Sequence, residues 1–155
     1  MNQDAADTTV GKEKRTHDQP PSPIFAEFMK SGWTPSDRAN LEPLEVVTYA
    51  FSRRQVLSAA FLERRIVIKA GSYKVRANDT DFNYRPDSAF VYYSGVQGCD
   101  ATADAVLVLE PSGGSHLTYL YMNPRSTRDT DAFYRDAKYG ELWVGRRFTL
   151  AEAQT

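Results

Sequence analysis

At 155 residues, with 41% hydrophobic and 25% charged side chains, the chain has the size and composition of one modest globular domain that can bury a single core. A net charge of −1 from 19 basic and 20 acidic residues removes any electrostatic case for nucleic acid or an anionic membrane. The lone Cys99 excludes an intrachain disulfide, and no stretch approaches the ~20 apolar residues of a membrane helix, so a cytoplasmic location is the expectation.

Residues 1–22 are polar, carry both signs of charge and end among Pro20, Pro21 and Pro23, which is the composition of a disordered tail. From Ile24 to Trp33 the apolar residues Ile24, Phe25, Phe28, Met29 and Trp33 return at helical spacing, predicting a short docking helix. Ser36, Asp37 and Pro43 mark a break. Leu44 to Leu62 is the longest helical candidate, with Val46, Ala50, Leu57, Ala60 and Phe61 near one face and Arg53 interrupting it.

Arg65 to Ala70 is a β-branched run closed by Gly71 and predicts a buried strand. Asn78 to Asp81 form a dense polar turn, Pro86 disfavours helix before it, and Ala89 to Ser94 reads as an interior strand because aromatic residues cover both faces. Ala105 to Leu109 and Leu117 to Met122 predict two strands joined antiparallel through the Pro-Ser-Gly-Gly-Ser loop at 111–115. Thr127 to Lys138 reads as an exposed loop or short helix anchored by Phe133 and Tyr134. Glu141 to Val144 reads as a short strand, and residues 149–155 begin a helix or linker. This succession suggests an α/β or α+β layered fold with a mixed sheet.

No motif for self-contained catalysis accompanies these elements. His17, His116 and Cys99 do not form a metal-ligand spacing, no glycine-rich phosphate loop or nucleophile elbow is present, and the turn accounts for Gly113 and Gly114.

Four motifs in order carry a resemblance. Arg76-x-x-Asp79-x-Asp81-Phe82-x-Tyr84-Arg85, then Ser88-x-Phe90-x-Tyr92-x-Ser94-Gly95, then Asp104-Ala-Val-Leu-Val-Leu109, then Glu141-Leu-Trp143-x-Gly145-Arg146-Arg147 together span most of Phe51 to Arg147. In this the chain resembles the amino-terminal domain of aminopeptidase P, within the creatinase/prolidase family, and the Met-Lys-Ser-Gly-Trp segment at 29–33 is similar to its actinobacterial members. The resemblance implies an α/β, ribonuclease H-like domain over residues 23–155: a mixed sheet flanked by helices, placed ahead of a pita-bread catalytic domain. That second domain would hold two manganese ions and all catalytic groups. This chain is then expected to hold no metal, to contribute no catalytic residue and to be inactive alone, as an excised domain or truncated reading frame.

The implied partners are its own catalytic domain, neighbouring subunits of a homodimer or homotetramer, and peptides with proline at position two. By resemblance, Trp143 would wall a neighbouring subunit's substrate pocket and Asp79 would sit near the substrate's amino terminus. Arg76, Arg85, Gly95, Gly145, Arg146 and Arg147 would be structural. On residue type alone the same positions read differently: Trp143 as core or sheet-edge packing, Asp79 as a turn cap, Arg146 and Arg147 as surface or ion-pair residues. Arg85 is expected to pair with Asp79 or Asp81, Tyr84, Tyr92 and Tyr93 to pack, and Cys99 to be an incidental thiol. A prolidase- or creatinase-type domain, or a non-catalytic peptide-binding module, remain the alternatives.

Overall fold

A computed structural model describes residues 20–34, 44–78, 80–149 and 152–154. Most of the tail expected at the amino terminus, the break at residues 36–43 and Asp79 lie outside these. The first helix, α1 (Pro23–Lys30), starts where Ser22 accepts a hydrogen bond from the Phe25 amide at 3.3 Å, with proline at the first helical position. The long candidate forms α2 (Glu45–Ala60). Its inward residues are Ala50 and Ser58, fully buried, with Val46 and Leu57 half-buried, whereas Ala60 and Phe61 are exposed.

Strand β1 (Ile66–Lys69) pairs with β4 (Val106–Ser112), which pairs with β5 (Ser115–Tyr121), giving the order β1-β4-β5. The register sets Ile66 opposite Leu109 and Leu107 opposite Leu120. β4 runs on past Pro111, so the connection shrinks to Gly113 and Gly114, both at positive φ, the tight turn that matches strand twist. A separate ribbon joins β2 (Val75–Ala77) to β3 (Thr80–Asp81). All pairings among the described residues are antiparallel, where the sequence suggested a mixed sheet. β1 is half-buried rather than buried, because only Ile66 and Ile68 face the helices while Val67 is exposed.

The expected interior strand at Ala89–Ser94 is instead a helix, α3 (Ser88–Ser94). Two caps override its β-type composition. The Asp87 carboxylate accepts from the Ala89 amide at 2.8 Å, and Gly95, at φ 77°, ends the helix with its amide on the Val91 carbonyl. Phe90 then enters the core beside Ala70, Ala105, Leu107 and Leu109. Gly95 is buried against α2, where a Cβ would stand 3.3 Å from Val46 Cγ1. Arg53 and Arg54 of α2 do not disturb the packed face; they donate to the Tyr92 and Tyr93 carbonyls at 3.1 and 2.7 Å, satisfying the open end of α3.

Two one-turn helices complete the domain, α4 (Ala132–Arg135) and α5 (Glu141–Val144). Of the two readings of residues 127–138, exposed loop or short helix, the structure has the short helix, with the anchors Phe133 and Tyr134 buried in α4. α5 stands where a strand was expected: the Val144 and Gly145 amides bond back to the Gly140 and Glu141 carbonyls, and the buried Glu141 carboxylate meets Arg125 at 3.4 Å and Arg128 at 2.6 Å. After it, Thr149 and Glu152 exchange bonds in a capping box, Thr149 Oγ1 accepting from the Glu152 amide at 3.2 Å and the Glu152 carboxylate from the Thr149 amide at 2.9 Å. A 3-10 turn, Glu152–Gln154, stands in this region where a helix was expected.

Candidate functional site

A cleft of about 710 Å³ opens between the segment that begins at the end of β3 (Asp81 to Pro86), the loop Gly98 to Ala103, and the region of α5. Trp143 and Phe82 line it with apolar surface, and both are more than half exposed. The indole Nε1–H of Trp143 donates to the Tyr134 carbonyl at 2.7 Å. The one polar atom of the side chain is thereby satisfied by protein, and the residue is 62% exposed. This is neither the core nor the sheet-edge packing that residue type suggested. It is a fixed aromatic plate at the rim of a cleft.

Behind the plate the Trp-x-Gly-Arg-Arg element does structural work. Gly145 leaves α5 at φ 83° and ψ 174°, a conformation open essentially to glycine alone. Arg146 pairs with Glu152. Arg147, expected at the surface or in an ion pair, is only 2% exposed and donates to the backbone carbonyls of Asn123 (3.1 Å), Pro124 (3.5 Å) and Tyr139. Burial pulls its pKa below the usual guanidinium value, with neighbouring acids opposing the shift.

Tyr84 anchors the opposite wall. Its hydroxyl is shared among the carbonyls of Ala70 (3.1 Å), Thr102 (3.3 Å) and Gly71 (3.4 Å), its ring leans on Tyr73 at 5.1 Å, and burial pushes its pKa up to about 12. At the mouth, the Lys138 ammonium and the Tyr139 hydroxyl both donate to the Asp104 carboxylate. These bonds, Lys138's first, hold Asp104 below the usual carboxylate range, and the same contact raises Lys138 to about 12. Arg85 lines the cleft, and no ion pair joins it to Asp81. Its other expected partner, Asp79, lies outside the described residues. Arg76 sits exposed on β2, away from the cleft lining. Cys99 is an exposed thiol on the cleft wall, 3.5 Å from where a Cβ on Gly145 would stand.

Sequence reasoning missed three groups that build this site. Gly140 is buried, and a Cβ there would fall 2.5 Å from the Ala132 and Asp136 carbonyl oxygens, so α4 and α5 can meet only across a glycine. The Tyr134 carbonyl that orients Trp143 is a backbone group and leaves no residue signal. Arg128 was read as part of a charged, exposed stretch, yet it holds Glu141. Chemically the cleft can clasp apolar ligand surface between Trp143 and Phe82 beside the cations Arg85 and Lys138. Among the described residues no three His, Cys, Asp or Glu side chains gather as a metal site.

Comparison with known proteins agrees with this picture. The chain is 44% identical over 129 residues to Xaa-Pro aminopeptidase 1 of Streptomyces coelicolor, covering 83% of this chain and 25% of that protein. It is 42% identical over 131 residues to Xaa-Pro aminopeptidase 2 of the same organism, covering 84% of this chain and 27% of that protein. The chain thus spans about a quarter of the length of the curated relatives it matches. The structure of aminopeptidase P from E. coli in its low-pH form superposes on 72% of this chain and 22% of its own, with a TM-score of 0.50 at 25% identity. The family model described as "Aminopeptidase P, N-terminal domain" matches residues 50–155, and the chain belongs to that family.

Proposed function

We propose that this chain is the amino-terminal domain of an Xaa-Pro aminopeptidase, an enzyme that releases the first residue from peptides with proline second, and that it supplies part of the substrate pocket. The observation that carries the pocket role is Trp143: its N–H is consumed by the Tyr134 carbonyl while most of the ring faces out. An aromatic face held this way covers proline or its neighbour with little conformational entropy left to lose. In this reading the pocket belongs to a neighbouring subunit of a homodimer or homotetramer, Asp79 faces the peptide ammonium, and the protein works in the cytoplasm, consistent with its single cysteine.

The metal chemistry of such an enzyme, two manganese ions in our reading, has no ligand set among the described residues. In this reading the ions and their ligands belong to the catalytic domain.

The test uses the full-length enzyme. Trp143→Ala should raise KM for an Xaa-Pro peptide about tenfold with kcat little changed, the pattern of lost uniform binding, and Trp143→Phe should recover most of the difference. An unchanged KM in Trp143→Ala removes the pocket role. Failure of the full-length, manganese-supplied protein to release residues from Xaa-Pro peptides removes the enzyme reading itself.

A further inference from the structure

The helix α1 and Trp33 precede residue 50, where the family match begins, yet they rest on the elements that hold Trp143. The ring of Phe25 meets Tyr134 edge-on at 6.2 Å, and Trp33 meets Phe133 edge-on at 5.2 Å. Lys30 pairs with Asp131 at the start of α4 at 3.3 Å. Trp33 is itself fixed by an Nε1–H bond to the Met29 carbonyl at 2.8 Å. A second link runs through Arg128, which donates to the Thr34 carbonyl just after Trp33 and to the carboxylate of Glu141, the first residue of α5.

We propose that α1 and Trp33 form a strap that fixes the Trp143 indole through α4 and α5, making Phe25 and Trp33 positioning residues for the rim of the cleft. Both short helices have a single turn, too little to persist on backbone hydrogen bonding alone. Their geometry therefore depends on what covers Phe133 and Tyr134, and α1 supplies part of that cover. The carbonyl that receives the Trp143 N–H belongs to Tyr134, the residue Phe25 touches, so loosening the strap loosens the plate. Phe28, on the same helix but 71% exposed, serves as an internal control.

The experiment follows hydrogen exchange of the Trp143 indole N–H by NMR in the 155-residue chain. Phe25→Ala and Trp33→Ala should each speed that exchange by about tenfold or more through easier local opening, while Phe28→Ala and the backbone amides of β4 stay at wild-type rates. Unchanged indole exchange in both variants overturns the strap, as does an equal loss of protection in β4, which would mean general destabilisation. A second arm measures the full-length enzyme, where Phe25→Ala should raise KM for an Xaa-Pro peptide with kcat preserved. That arm rests on the pocket role given to Trp143. Faster indole exchange with unchanged KM upholds the strap and sinks the pocket role; unchanged exchange sinks the strap whatever the kinetics.

Discussion

Arg147 and Tyr139 meet twice: the guanidinium donates to the Tyr139 carbonyl and also lies 5.7 Å from the centre of the Tyr139 ring. With its bonds to Asn123 and Pro124, this side chain ties the segment just after β5 to the loop that carries α5. A planar fork can serve several carbonyls at once, whereas an ammonium acts as a point charge.

Replacing Arg147 should therefore destabilise the domain even by the nominally conservative route. Arg147→Met strands several acceptors and is expected to cost about 2 kcal/mol, with Arg147→Lys only partly better. Chemical denaturation measures both, and a loss below about 0.5 kcal/mol for Arg147→Met would contradict the clamp role.

The two glycines flanking α5 should fail for different reasons. At Gly140 a methyl meets three backbone carbonyl oxygens, those of Ala132 and Asp136 at 2.5 Å and that of Phe133 at 2.7 Å, and none can swing aside as a side chain would. At Gly145 the space is adequate, and only the backbone at φ 83° resists. Gly140→Ala is expected to cost about 3 kcal/mol and to shift Trp143 emission, against about 1–2 kcal/mol for Gly145→Ala. Denaturation midpoints with fluorescence rank them, and a Gly140→Ala protein as stable as wild type would show that α4 and α5 do not close on that residue.

Alkaline stability should report on Tyr84. Burial raises its folded pKa from 10.0 to about 12, so the fold favours the protonated hydroxyl. Its contribution is whole below the unfolded value near 10 and is lost as pH climbs through the folded value, because the unfolded chain releases its proton first. The stability gap between wild type and Tyr84→Phe should accordingly be flat up to about pH 9 and then move against the wild type between about pH 10 and 12. A gap that stays constant across that interval would mean the hydroxyl is not desolvated.

Legibility from sequence divided along the range of the forces involved. α1, α2, β1 and the β4–β5 hairpin were readable because helical periodicity, a β-branched run and a Gly-Gly turn act within a few residues. Ser88–Ser94 was misread because an aromatic and β-branched run of that length fits a strand or a helix equally well by pattern. The deciding signals were its flanks, Asp87 and Gly95, whose caps outweighed β-propensity. Glu141–Val144 was misread because four residues are too few for a helical period to show, and its flanking glycines, Gly140 and Gly145, mark the turn that the structure forms.

Four ordered motifs were enough to point to the family and to single out Trp143 within one of them. Where those side chains stand and what they bond to emerged only from the folded chain. It turned Trp143 outward by giving its N–H a backbone carbonyl, buried Arg147 among other carbonyls, and laid Phe25 on Tyr134 across more than a hundred residues of chain. Backbone carbonyls are identical at every position, so no residue pattern announces which of them a buried donor will find; that choice is made when the packed core sets their places in space.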